Sequence, residues 1–265
     1  MSPLGISLRG YDTSVPSQID PKPIHGNLLL ASLPPHELGS VRSALRLMHH
    51  DIQERVCDAG EAFRHVHFPL SGVFSLLTVN SDGSVVEVAT VGNEGMVGVP
   101  VFLGSGQASN VRVVCQVPGQ TIALSASGFK DWLGVDGRLT EVFGAYVEVL
   151  LIEAAQSVAC NRIHPVEERC ARWLLRSHDR AGSDQFPMTH EFLSQMLGIR
   201  RASVTVAAGM LQKAGLIDYR RGNVTIVDRT GLEEASCECY GVVAEAQERL
   251  LPAPAGWDRR IDETD

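Results

Sequence analysis

The stretch MTHEFLSQMLGIRRASVTVAAGMLQKAGLIDYRRGNVTIVD, Met188 to Asp228, decides how this chain folds. Phe192, Leu193, Met196 and Leu197 recur at helical spacing, Gly198 interrupts, and Val204, Ala207, Ala208 and Leu211 resume the same period. Two helices this short are not stable alone, so each must bury its stripe against the other and a shared floor, as in a helix-turn-helix. Thr189 stands where an N-cap would, with Glu191 in the first turn, where a negative charge suits the helix dipole. The second helix should begin near Arg200 and present Arg200, Arg201, Ser203 and Thr205 opposite its apolar face. Two guanidiniums and two hydroxyls suit base edges and phosphate oxygens. Beyond it, two β-prone runs, 216–219 and 224–227, flank Arg220, Arg221, Gly222 and Asn223, which reads as a hairpin with a basic tip and completes a winged helix. The plainer alternative is a helical hairpin used only for packing.

Charge supports the first reading. Between Met188 and Asp228 five basic residues stand against three acidic ones, whereas the whole chain carries −8. A locally basic module in an acidic protein points to focused attraction for a polyanion. At 265 residues and 44% hydrophobic, the chain can bury a sizeable core, and two domains plus tails are expected. No uninterrupted apolar run approaches the roughly 20 residues that span a bilayer, so no membrane role is expected. The first residues lack the basic start and apolar core of an export signal. The six cysteines (Cys57, Cys115, Cys160, Cys170, Cys237, Cys239) are widely scattered, as reduced cytosolic thiols are, and a cytoplasmic location is expected.

Taken in order, residues 1–25 are proline-containing and aperiodic, a tail expected to be disordered. Short helices are expected at Asn27 to Leu30 and from Pro34-Pro35 through Val41, Leu45 and Leu47. From 56 to 124, short β-rich runs alternate with turn signals at Asn80-Ser81-Asp82-Gly83, Gly92-Asn93-Glu94-Gly95 and Pro118-Gly119, which argues for an antiparallel barrel or roll. A long helix follows, with Phe143, Val147, Leu150 and Ala154 on one stripe and Val142, Tyr146 and Val149 on a neighbouring one. Two stripes predict contact on two sides, one facing the roll and the other the same helix of a second subunit; the alternative is a helix buried within one subunit. Asn161 to Pro165 breaks the helix. The next has Glu167 and Glu168 in its first turn and Arg172 and Arg176 near its end, and its face of Val166, Cys170, Trp173 and Leu174 should be the floor of the helix-turn-helix. After Thr230 a further helical spacing leads into a loose tail.

This order resembles the Crp/Fnr family of bacterial transcription regulators. The resemblance is carried by FPLSGVFSLL at 68–77, VEVATVGNEGMVG at 86–98, HPVEERCARWLL at 164–175 and the winged helix, and covers about 27–230. It implies an α+β fold: an antiparallel β-roll (jelly roll) sensor domain of the cyclic-nucleotide-binding type at 26–138, a dimerisation helix and hinge at 139–163, a winged helix-turn-helix at 164–230, and a C-terminal helix and loose tail at 231–265. It implies a homodimer that offers two recognition helices to successive major grooves of double-stranded DNA, about 34 Å apart, at a near-palindromic site. RNA polymerase and a small-molecule effector are further partners it suggests.

The departures bear on ligands. By the resemblance an effector pocket would involve Glu94, Gly95, Gln107 and Ala108. Nucleotide-binding members hold the phosphate with an arginine and a small hydroxyl residue where this chain has Gln107 and Ala108. Neither supplies the charge a buried phosphodiester needs, so cAMP and cGMP are not expected to bind. The iron–sulfur branch uses N-terminal cysteines, and none precedes Cys57 here. The family's Arg-Glu-Thr reading face becomes Arg201-Ala202-Ser203, with Val206 where a further arginine would stand, so a different target sequence is expected.

Arg201 is the expected base contact, with Arg200 on base or phosphate. Ser203 and Thr205 are read as phosphate contacts or solvated hydroxyls, Thr189 as a further DNA-binding residue, and Arg220, Arg221 and Asn223 as contacts to the backbone and minor groove or an exposed turn. Cys237 and Cys239 lack a second close pair in sequence and read as ordinary thiols, so no metal or cofactor is expected. His49, His50, His65 and His67 invite a haem or metal site but read more simply as core or surface histidines. Nothing resembles a catalytic triad or a phosphate-cradling loop, and an enzyme is not expected. Two rivals stay open: a ligand-binding signalling module whose winged helix makes protein contacts, and a haem or iron–sulfur redox sensor.

Overall fold

Between Arg46 and Ser125 the β-prone runs pair into two antiparallel sheets. In one, β7 (Gly119–Ser125) lies between β1 (Arg46–His50) and β3 (His65–Pro69). In the other the order is β2 (Arg55–Cys57), β6 (Val111–Val117), β4 (Val73–Val79), β5 (Val85–Val91). The computed structural model describes residues 22–104, 110–134, 137–255 and 257. The expectations for the N-terminal tail through residue 21, for Gln107 and Ala108, and for residues 258–265 lie outside them.

The inward faces of the sheets supply Val66, Phe68, Phe74, Val113, Cys115, Ile122 and Leu124, all buried. Two helices close the roll. α4 (Ala126–Leu133), which the sequence reading did not foresee, starts where Ser125 Oγ accepts a hydrogen bond from Gly128 N at 3.1 Å. It brings Phe129 and Trp132 onto Phe143 of α5 (Gly137–Ile163), with ring centroids 5.3 and 5.8 Å apart. Each such ring, buried fully, contributes roughly 1.5–3 kcal/mol. Short helices α1 (Leu28–Ala31), α2 (Pro35–Val41) and α3 (Val99–Phe102) complete the domain. The helix expected to run on through Leu45 and Leu47 instead ends at Val41; a 3-10 turn follows, and Leu47 lies in β1, opposite Ile122. Pairing to a ready sheet edge overrode a weak helical pattern.

α5 also divides its faces differently from expectation. Phe143, Tyr146 and Val149, drawn from both stripes, are buried in the molecule, while Leu151 is 66% and Val158 73% exposed. By length and composition alone α5 could cross a bilayer. Yet it carries a buried ion-paired Glu153 and packs along α10 (Cys239–Leu250).

After the hinge come α6 (Val166–Ala181), β8 (Gln185–Pro187), α7 (His190–Leu197), α8 (Arg201–Lys213), β9 (Ile217–Arg220), β10 (Asn223–Ile226) and α9 (Arg229–Glu234). The wing is a three-stranded sheet in the order β8-β10-β9, one strand more than the hairpin expected. Cys170, Trp173 and Leu174 of α6 form the expected floor under Leu193, Met196, Val204, Ala207 and Leu211. This apolar core continues into the roll through Val73, Leu77, Val114 and Val117 on the outer face of the four-stranded sheet. Ser177 of α6 accepts from Gln116 Nε2 at 3.1 Å, and Gln116 Oε1 accepts from Ser75 at 2.9 Å, so the two halves share buried hydrogen bonds as well.

Candidate nucleic-acid interface

The first helix of the motif is capped as foreseen: Thr189 Oγ1 accepts from Phe192 N at 3.1 Å. Gly198, at φ 63, turns the chain into α8. Arg200 is the N-cap of α8 and Arg201 its first residue, and both side chains are exposed. The helix turns Val204, Ala207, Ala208 and Leu211 inward, so Thr205, Val206 and Met210 face out, the last two 60% and 54% exposed. Methyl-bearing side chains on such a face match a thymine methyl, while arginine matches guanine. No sequence motif marks Met210 for this face. Ser203 is half-buried, and Thr205 Oγ1 donates back to Arg201 O at 3.1 Å and lies 3.1 Å from His190 Nδ1. Both hydroxyls are therefore less free than the sequence implied.

The wing turn is tighter than expected, since Asn223 pairs with Arg220 and only Arg221 and Gly222 form the loop. Their φ values of 49 and 80 are those of a two-residue turn matched to strand twist. The turn leaves Arg221 and Asn223 exposed at the tip, while Arg220 Nε holds Asp218 at 2.9 Å. His190 stacks on Tyr219 with centroids 4.3 Å apart, and Tyr219 donates to Met188 O at 2.6 Å. Wing and helix-turn-helix are thus one rigid unit.

At the expected effector pocket, Glu94 and Gly95 are occupied by the chain itself. Glu94 is buried and Arg180 Nε donates to its Oε1 at 2.7 Å. Arg180 also reaches Thr90 and, at 3.0 Å, Glu153, which takes a second arginine, Arg176, at 3.1 Å. Arg172 and Arg176, expected near the end of this helix to offset its dipole, lie ahead of the last turn, which carries His178 and Arg180, and both are buried. Burial opposes ionisation of Glu153, but Arg180 and Arg176 outweigh it and hold the carboxyl down at about 2. A Cβ on Gly95 would collide with the Tyr146 ring, so glycine here admits α5 rather than a ligand. Beside this network Trp173 Nε1 donates to Glu87 Oε1 at 2.7 Å. Burial lifts that carboxyl to about 7 against the hydrogen bonds of Ser75 and Trp173.

The paired histidines are core and surface residues. His67 is buried, its Nδ1 3.2 Å from Thr121 Oγ1, and burial with the neighbouring His50 and His65 depresses it to about 3. His50 bridges Thr121 and Glu54, and His49 meets Gln120 at the surface. Cys237 and Cys239 depart from the isolated pair expected: the fold brings Cys160 and His164 to them. The Cys160 thiol is held below its usual value, chiefly by Cys237's hydrogen bond, with Arg172 and His164 adding.

Comparison with known proteins agrees with this geometry. Residues 48–135 match the cyclic nucleotide-binding domain family and residues 168–235 the Crp-like helix-turn-helix domain family, together more than half the chain. No curated protein matches the sequence. Solved structures with the same fold include FixK2 from Bradyrhizobium japonicum, at 17% identity and TM-score 0.62, covering 73% of this chain and 98% of that one. CLP from Xanthomonas campestris, described as a c-di-GMP responsive global regulator, aligns at 15% identity and TM-score 0.58 over 73% of this chain and 99% of its own. A CRP-family transcriptional regulator from Thermus thermophilus aligns at 17% identity and TM-score 0.60 over 71% and 96%. A cyclic-nucleotide-binding-type roll joined to a winged helix-turn-helix defines a class of one-chain transcriptional regulators. This chain belongs to the Crp/Fnr family.

Proposed function

We propose that the protein is a cytoplasmic, homodimeric DNA-binding regulator that reads a near-palindromic site with Arg200, Arg201, Val206 and Met210 of each α8. The observation that carries this is the pair of exposed arginines leading an outward helix face, with Arg221 and Asn223 of the wing exposed beside it. Arginine is suited to guanine, the two apolar side chains to thymine methyls, and the wing tip to the phosphate backbone.

Dimerisation is read from α5. Leu151 and Val158 are seven residues apart, with the half-buried Val147 and Ala154 continuing the stripe at steps of four and three. That spacing suits a seam between two helices packed side by side. Two such subunits place paired recognition helices about one helical turn of DNA apart. RNA polymerase is a natural further partner. The roll is read as working without cAMP, because Glu94 is engaged by Arg180 and Gly95 by Tyr146. Selection of bound sequences from a random DNA pool tests the whole reading. A two-fold-symmetric motif is expected; a pool that shows no enrichment at physiological salt overturns it.

A further inference from the structure

The last turn of α5, the hinge and the start of α10 bring four metal-binding side chains to one spot. Cys160, His164, Cys237 and Cys239 each offer one ligand atom, and all four atoms lie within 4.8 Å of one another. Cys160 Sγ is 3.5 Å from Cys237 Sγ, and Cys239 Sγ is 3.4 Å from His164 Nδ1. We propose that these four side chains form a tetrahedral zinc site that clamps the hinge to the C-terminal helix.

Two of these separations, 3.5 and 3.4 Å, are close to those of ligands around one ion. Zinc bonds of about 2.3 Å to sulfur and 2.0–2.1 Å to nitrogen give tetrahedral edges of roughly 3.5–3.8 Å. A cluster of several irons would hold its ligands further apart, and a disulfide between Cys160 and Cys237 would leave Cys239 and His164 without a role. Three thiolates and an imidazole are soft and borderline donors, which favour zinc over magnesium or calcium.

The surroundings serve a metal as well. His164 Nε2 lies 3.1 Å from Glu238 Oε2, an arrangement that orients the ring and turns Nδ1 toward the sulfurs. Gln156 Nε2 donates to Cys239 Sγ at 3.1 Å, as an amide does to a coordinating thiolate. A divalent ion with three thiolates carries one net negative charge, and Arg169 and Arg172 are close enough to act on the Cys160 thiolate.

All three sulfurs come from buried residues, and four protein ligands leave no open position, so the site is structural rather than catalytic. On binding, the three thiols release their protons to solvent. Cys160 precedes the hinge, His164 lies in it, and Cys237 and Cys239 follow the winged helix. Metal occupancy therefore fixes the angle at which α6 leaves α5, and with it the setting of the DNA-reading unit.

Full-length protein purified under reducing conditions tests this. About one zinc per chain is expected. Apoprotein titrated with Co2+ should develop thiolate-to-cobalt bands in the near ultraviolet and the visible bands of a tetrahedral site, saturating at one equivalent. Cys239→Ser and His164→Ala should lose them, while Cys170→Ser, in the winged-helix core, keeps them. Should a ligand variant fail to fold, the titration of the unmutated protein decides. Glu238→Gln, at an exposed residue, should fold normally and weaken metal binding by roughly 10–100-fold. Wild-type protein that holds no zinc and gives no cobalt bands overturns the proposal. So does a Cys160 to Cys237 disulfide under reductant, or a chromophore with acid-labile sulfide.

Discussion

Arg180 Nε donates to Glu94 Oε1 across 2.7 Å, joining the last turn of α6 to the loop after β5. Arg180 is the sole guanidinium on Glu94 among the ion pairs of the described residues, and it also neutralises Glu153. Its removal leaves the Glu94 carboxylate buried without a guanidinium, while Glu153 keeps Arg176 alone. Losing one member of such a buried set costs about 3–5 kcal/mol. Arg180→Ala is therefore expected to lower the urea midpoint sharply at pH 7, with faster proteolysis at the hinge. An unchanged midpoint would show that the network does not hold the two halves together.

Two carboxyls at the same junction predict opposite responses to pH. Glu153 is held down at about 2 by Arg180 and Arg176, so its contribution is complete above its unfolded value of 4.5 and is lost as pH falls toward 2. Glu87 is raised to about 7 by burial, so the folded state binds its proton more tightly. The stability this provides is full below 4.5 and is lost as pH rises through 7. Glu87→Gln keeps an acceptor for Trp173 and removes the titration. Relative to wild type, it should gain stability between pH 5 and pH 8, by about 3 kcal/mol at most. A stability difference that stays flat over that range would count against a raised Glu87.

The DNA face predicts two distinct losses. Arg201→Ala should cost roughly 1–3 kcal/mol on the selected site and relax preference at one base position. Arg221→Ala removes a charge at the wing tip, so it should weaken all sequences alike and reduce the salt slope by about 1. Fluorescence anisotropy against matched and scrambled duplexes over a salt series separates the two. An Arg201 variant with unchanged base preference refutes the reading role.

What was legible in the sequence followed local rules. Periodicity around Gly198, turn signals such as Asn80-Ser81-Asp82-Gly83 and the cap at Thr189 all act within a few residues, and each element they mark is in place. The functional contacts that escaped notice are long-range. Arg180 meets Glu94 across 86 residues, and nothing near either residue in the sequence pairs the expected pocket glutamate with that arginine. Cys160 meets Cys237 across 77 residues, so no ligand spacing announced the cluster. Arg172 and Arg176 look like charges that offset a helix end, yet α6 runs on to Ala181 and both are buried in its interior, Arg176 on Glu153 of another helix.

The outward stripe of α5 carries the last prediction. Leu151 and Val158 are 66% and 73% exposed, so a charge at either position touches nothing within the subunit. Against a symmetry mate, however, each would meet its own counterpart, and like charges at an apolar seam repel and lose the burial that drove pairing. Leu151→Glu with Val158→Glu should therefore give a folded monomer, with helix content and urea midpoint at high dilution close to wild type. Sedimentation equilibrium should show one subunit where wild type shows two. DNA affinity should fall at the two-fold-symmetric site but change little at a half-site, because only the symmetric site needs both reading helices at once. If the double variant stays dimeric, the subunits pair through some other face, and the spacing between half-sites is no longer set by α5.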